Sequence, residues 1–163
     1  MRLLAIGFLC MAATAAYANE SSRKADFVYV DKSERAISFF NGKELLAKYR
    51  ISLSRSSVGH KEREGDKRTP EGTYTLDYKN PNSQYYRSIH ISYPNQQDRT
   101  SAKRRGVSPG GAIMIHGQPN RSRYAASELQ QYDWTDGCIA LTNTEMDVVW
   151  AMVDVPVRIQ IAP

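Results

Sequence analysis

The dipeptide Asn41-Gly42 constrains the fold of this chain more than any other short stretch. Asn-Gly tolerates the positive φ angles that a two-residue hairpin loop demands, so the flanking segments are expected to fold back on each other as antiparallel strands. Those segments, AISFF (36–40) and LLAKYRISLS (45–54), carry the β-branched and aromatic residues that suit a pleated surface. FVYV (27–30) precedes them, so a β-meander opens the domain. TYTLDY (73–78), IHISYP (89–94), AIMIHG (112–117) and VPVRIQIA (155–162) return to the strand pattern, the last alternating through Val157, Ile159 and Ile161. Thr142 and Glu145 stand three residues apart, the spacing of a capping box, which predicts a helix running through MDVVWAMV to about Val153. Strands dominate, so the expected fold is mainly β, a sandwich or barrel with appended helices.

Two polar stretches interrupt the strands. SRSSVGHKEREGDKRTPEG (54–72) is charged and punctuated by glycine, the pattern of a surface loop. Residues 95–111 are polar and basic, with Arg99, Lys103, Arg104 and Arg105, and read as a mobile lid or an ordinary solvated loop. At the other end, Met1-Arg2 is a positive start, Leu3 to Ala16 is apolar, and Ala16-Tyr17-Ala18 fits small-x-small cleavage, so residues 1–18 read as a secretory signal peptide. The alternative, an uncleaved anchor, is disfavoured because about 14 apolar residues fall short of the ~20 a spanning helix needs. Cleavage leaves a short segment, 19–25, and one domain, 26–163, with no membrane span. Without Arg2 there remain 21 basic against 17 acidic residues, a net charge of +4. That modest excess suits an anionic polymer or a wet envelope partner, and nothing resembles a nucleic-acid motif.

With Cys10 inside the apolar run and preceded by Leu9 rather than a small residue, Cys138 is left as the lone thiol of an exported chain. It is either a buried, inert residue or a nucleophile. Asp136-Gly137 before it signals a turn, and a cysteine on a tight turn near helix-terminal amides has a lowered pKa and donors for an oxyanion. Strand alternation, in contrast, would put Cys138 with Ala140 on one packed face. A thiol nucleophile needs a base, and the mature residues offer His60, His90 and His116. His60 lies in the charged loop and His90 in an alternating strand, whereas His116 ends an apolar strand before Gly117, 22 positions ahead of Cys138. His116 is the preferred base. No His-x-x-x-His or clustered carboxylate suggests a metal, no Cys-x-x-Cys suggests redox exchange, and no cofactor is expected.

IHG (115–117) followed by TDGC (135–138) resembles the paired signature of the YkuD-type L,D-transpeptidase catalytic domain. GDKRTPEGTY (65–74) is similar to its Thr-Pro-x-Gly element, and ISYPN (91–95) resembles segments of its smaller envelope members. The resemblance implies a β-sandwich with Cys138 as nucleophile in a cleft, His116 as base, the Gly117 carbonyl orienting its ring, and the Gly137 and Cys138 amides as oxyanion hole. It implies a peptidoglycan stem tetrapeptide as substrate, attacked at the carbonyl of its third residue, a diamino acid, with loss of terminal D-alanine. The thioester then passes to another stem's amine, to a lysine of a wall-anchored protein, or to water. Substrate contacts are expected from Thr135 and Asp136 of the motif, from Tyr93, and from Arg105 and Arg121 in the basic loops.

This chain departs from the family pattern at two positions. Asp136 stands where many members have a second histidine, placing negative charge near the thiol, and Ala140 stands where an arginine is frequent. Arg104, Arg105, Arg121 and Arg123 are the candidates to supply that lost charge. Three readings follow: an exported L,D-transpeptidase of the periplasm or cell envelope, a carboxypeptidase or endopeptidase using the same site, and a non-catalytic peptidoglycan-binding module.

Overall fold

The hairpin forms, one residue later than the dipeptide suggested. Strand β2 (Ala36–Asn41) turns through Gly42 and Lys43 into β3 (Glu44–Arg50), with Asn41 paired to Glu44. Gly42 has φ +57° and is the first central residue, where a two-residue loop of the II′ kind takes glycine. Its amide donates to the Asp26 carboxylate (2.9 Å), while the Asn41 side chain donates to Lys24 O (2.8 Å). Asn41 thus ties the hairpin to β1 (Ala25–Asp31) instead of bending the chain.

The computed structural model describes residues 23–163, so the expected signal peptide, 1–18, and residues 19–22 lie outside the described residues. The remaining strands are β4 (Gly72–Ser83), β5 (Tyr86–Ile91), β6 (Met114–His116), β7 (Ile139–Ala140) and β8 (Val153–Ala162). They join in one eight-stranded sheet ordered β3-β2-β1-β8-β4-β5-β6-β7. β8 lies at its middle because it alternates, with Val157, Ile159 and Ile161 buried and Arg158 and Gln160 exposed. It pairs parallel with β1 and antiparallel with β4. Just past β3, Ser52 exchanges two 2.9 Å backbone hydrogen bonds with Ala140 of β7, so the ends of the sheet meet and it curls into a near-barrel. A sheet that curls this far leaves little free edge.

Helix α3 (Asn143–Met152) starts at the capping box: Thr142 Oγ1 accepts from the Glu145 amide, and the Glu145 carboxylate accepts from the Thr142 amide (2.9 Å). Such a cap stabilises a helix by about 1 kcal/mol. Its Met146, Val149 and Met152 enter the core with Phe39, Leu76, Ile89, Ile115 and Ile159. The fold is mainly β with appended helices.

Two expectations need correction. Residues 95–111 are not a continuous loop, because α1 (Gln96–Arg104) occupies most of them. Asn95 caps it, accepting from the Gln97 and Asp98 amides, and Asp98 returns the bond to the Asn95 amide (2.9 Å). Nor is 54–72 simply solvated. Lys61 and Thr69 are buried in it, and the Lys61 ammonium donates to Asp66 (2.8 Å) and Arg63 O (3.0 Å). The equally buried Lys32 anchors the loop from β1's end, donating to Gly59 O (2.8 Å) and Glu71 (2.6 Å). A short helix, α2 (Ala126–Leu129), follows β6, and no helix among the described residues is long and apolar enough to cross a membrane.

Candidate active site

His116 and Cys138 reach one cleft through strand register. β6 and β7 run parallel, with Ile115 beside Ile139 and His116 beside Ala140. Side chains two apart on a strand share a face, so His116 and Ala140 face the same way, and Cys138, one step before β7, joins them. Both His116 and Cys138 line an open cleft of about 540 Å³. The aromatic Tyr85 and Trp134 and the charged Lys61, Glu64, Lys67 and Asp136 also line it.

The imidazole of His116 is buried and oriented. Its Nδ1 lies 2.6 Å from Gly117 O, and because a carbonyl only accepts, Nδ1 carries the proton and Nε2 is left with a lone pair. Tyr85 packs on the ring at 4.7 Å and Trp134 meets it edge-on at 5.7 Å. Burial pushes the His116 pKa down to about 4, only partly offset by the Gly117 hydrogen bond, so the ring is neutral at pH 7. Gly117 itself admits no side chain: a Cβ would stand 2.7 Å from Asn143 Oδ1 and 2.8 Å from Tyr86 Cβ. Asn143, the first residue of α3, also accepts the Gln118 amide (2.8 Å) and so fixes the turn after His116.

Cys138 follows Gly137, whose φ of +119° is open to glycine alone among unstrained residues. A Cβ on Gly137 would lie 2.7 Å from Arg68 O, which shows how tightly the charged loop abuts this turn. Thr135 closes the turn, donating through Oγ1 to Cys138 O (2.8 Å) and accepting the Gly137 amide (3.3 Å). The partly exposed Cys138 thiol lies 3.7 Å from Ala112 O. Burial pushes its pKa up; a hydrogen bond from the Met114 backbone pulls it back, Asp136 pushes it up again, and the Lys61 charge lowers it. Thiol and imidazole are therefore both neutral at rest.

The other predicted residues divide. Asp136 lines the cleft and pairs with Lys67 at 3.2 Å. Arg121 lines a neighbouring recess that shares Tyr85 and Trp134 with the cleft. Tyr93 does not face substrate: it is 3% exposed, donates to Pro109 O (3.0 Å) and packs against Tyr74, because its strand end turns into the core. Arg105 is also displaced, because α1 carries it to Glu62 (2.7 Å), lining a recess that does not include Cys138. Neither alternative histidine is in the cleft. His90 pairs with Asp77 (2.6 Å) and stacks on Tyr78, while His60 accepts the Glu71 amide (3.0 Å) and contacts Asp98 (3.1 Å). Sequence reasoning missed Lys61, Tyr85 and Trp134 as cleft residues; Trp134, four residues before Cys138, carried the one local hint.

A model of the YkuD L,D-transpeptidase catalytic domain matches residues 25–161. The chain is 29% identical over 133 residues to Escherichia coli "Putative L,D-transpeptidase YafK", a match covering 78% of this chain and 46% of the relative. The chain thus spans about half the length of the curated relatives it matches. Its structure is similar to that of the helical cell shape determining protein Pgp2 from Campylobacter jejuni (26% identity, TM-score 0.64, 90% of this chain and 54% of Pgp2). It also shares a fold with Bd1075 of Bdellovibrio bacteriovorus (22% identity, TM-score 0.57, 93% and 50% covered). With the family model matched over most of its length, the chain belongs to the YkuD family of L,D-transpeptidase catalytic domains.

Proposed function

We propose that this protein is an exported cysteine acyltransferase of the periplasm or cell envelope that acts on peptidoglycan stem peptides. The observation that carries the reading is His116, neutral, with Nδ1 bound to Gly117 O and Nε2 free, in the same cleft as the Cys138 thiol. Such a neutral pair reacts by general-base catalysis rather than from a stored thiolate. Nε2 takes the thiol proton as sulfur attacks the carbonyl carbon of the stem's third residue. The tetrahedral oxyanion is met by the Cys138 amide and by the Gly137 amide, which Thr135 Oγ1 shares in the free protein. Collapse breaks the amide bond, His116 returns its proton to the departing amine, and D-alanine leaves with a thioester on Cys138. An acceptor amine then gives up a proton to His116 and attacks, releasing the thiol and a new amide.

Water is the rival acceptor. The cleft is open to solvent and Cys138 partly exposed, which favours the hydrolytic reading, a carboxypeptidase or endopeptidase on the same bond. A lysine of a wall-anchored protein would serve as acceptor by the same step. The test incubates the purified protein with disaccharide-tetrapeptides and with cross-linked dimers and reads the products by mass spectrometry. Dimers linked through third residues are the expected transpeptidation product, and tripeptides or cleaved dimers the hydrolytic one. Cys138→Ala is expected to abolish every product, and His116→Gln to slow them roughly 10²–10⁴-fold. Products that persist in Cys138→Ala would overturn the acyl-enzyme, and wall binding without any product would leave a binding module.

A further inference from the structure

Lys67 and Asp136 stand on the lip of the Cys138 cleft with Nζ and Oδ1 3.2 Å apart and side chains 59% and 78% exposed. An ion pair so exposed contributes at most about 1 kcal/mol to stability, so the fold does not depend on it and a ligand of matching charge displaces it easily. Its placement is nevertheless constrained. Lys67 has φ +61°, a conformation that residues with side chains adopt under constraint and that concentrates at functional sites. On one side of it, the Asp66 carboxylate accepts the amides of Glu62 (2.7 Å), Arg63 (3.0 Å) and Arg68 (3.0 Å). On the other, Arg68 O presses against Gly137, the residue between Asp136 and Cys138. The two loops are locked together one residue away from each member of the pair, so a cation and an anion are held near the sulfur.

From this geometry we infer that Lys67 and Asp136 form a subsite for a zwitterionic amino-acid head, an ammonium and a carboxylate on one carbon. A lone ammonium would satisfy Asp136 and leave Lys67 unpaired, and a lone carboxylate would do the reverse. A zwitterion satisfies both by exchanging partners, so four charges alternate in sign. It also brings positive charge to Asp136, whose field raises the Cys138 pKa. The inference rests on the function proposed above: a diamino acid at the third stem position presents such a head when its side chain ends in both groups. That side chain belongs either to the donor stem or to the acceptor.

The test uses three synthetic stem tetrapeptides that differ at the third residue: meso-diaminopimelate, the same residue amidated on its side-chain carboxylate, and lysine. Binding is measured calorimetrically to the Cys138→Ala protein, alone and with Asp136→Asn or Lys67→Gln added. The diaminopimelate peptide is expected to bind about fivefold tighter than either analogue, with Lys67→Gln erasing that preference and Asp136→Asn weakening the two analogues, which keep only the ammonium, without removing it. Equal binding of the three peptides, a preference that survives Lys67→Gln, or analogue binding unchanged by Asp136→Asn, would overturn the subsite. In protein with Cys138 intact, the KM for D-alanine release moves if the donor occupies the subsite, and the KM for acceptor moves if the acceptor does. Binding preference without any D-alanine release would sink the acyl-transfer reading alone. Release without preference would sink the subsite alone.

Discussion

Residues 55–71 and 119–132 are both polar loops beside the Cys138 cleft, and they are built in opposite ways. The first buries Lys61 and Thr69, receives the buried Lys32, and holds Asp66 among three backbone amides. In the second, every residue from 120 to 128 is exposed, and its ties are few, among them the Asn120 amide to Gln84 O (3.0 Å), Gln118 to Ala126 O (2.6 Å) and Gln130 to Arg50 O (3.1 Å). Hydrophilicity alone does not predict burial. A charge is tolerated inside when an opposite charge and backbone donors meet it, and Lys61 has Asp66 five residues on. The consequence for the site is a lining that combines ion-paired residues of a loop fixed against Gly137 with the aromatic Tyr85 and Trp134.

The sharpest way to break this contrast is Lys61→Met. It leaves Asp66 buried without its cation, and removal of one partner of a buried pair is expected to destabilise by about 3–5 kcal/mol. Urea unfolding measures it, and a change below about 0.5 kcal/mol would mean the charged loop is no better anchored than an exposed one.

Acid offers a second, smaller effect. Burial works against ionising Asp66, yet Lys61 and the amides of Glu62, Arg63 and Arg68 hold its pKa at about 2, below the ordinary 3.8. The unfolded chain therefore takes up this proton first, and the contribution present above pH 4, about 2 kcal/mol, is lost as pH falls through 2. His116 acts at higher pH with the same sign: with its folded pKa at about 4 against 6.5, the unfolded chain protonates first between those values and stability declines there. Urea midpoints should fall from pH 7 to 4 and again below 4, and His116→Gln should flatten the upper segment alone. A flat profile from pH 7 to 4 in the unsubstituted protein would contradict the buried neutral imidazole.

The smallest effect is expected from the other loop. Arg121→Ala should change stability by no more than about 0.5 kcal/mol, because the side chain is exposed and in no ion pair recorded among the described residues. A loss above 1 kcal/mol would show that this loop too is held by its charges.

Much of this fold was legible because its signals are short-range. Alternation in 155–162 marked the central strand, and Thr142 with Glu145 marked α3 to within a residue of its end. The hairpin was recognised but shifted by one, since Asn41 pairs in the strand and the Phe39/Phe40 irregularity in the ladder could not be read from a dipeptide. α1 was missed because QQDRTSAKR has almost no apolar face; its signal was Asn95 with Asp98 three residues on, a capping box with aspartate in place of glutamate. Tyr93 and Arg105 were misplaced for a related reason: residue type says what a side chain can bind, and only packing says where it points.

By itself, then, the amino-acid order determined the strands, the capped helix, and a glycine turn presenting Cys138, because each depends on neighbours within a few residues. Tertiary structure decided which groups surround that sulfur. The parallel register of β6 and β7 brings His116 to it across 22 positions, and the contact of Arg68 O with Gly137 brings Lys67 and Asp136 beside it. Register and loop contact are set by the packing of the whole sheet, where one residue of slip turns a side chain to the opposite face.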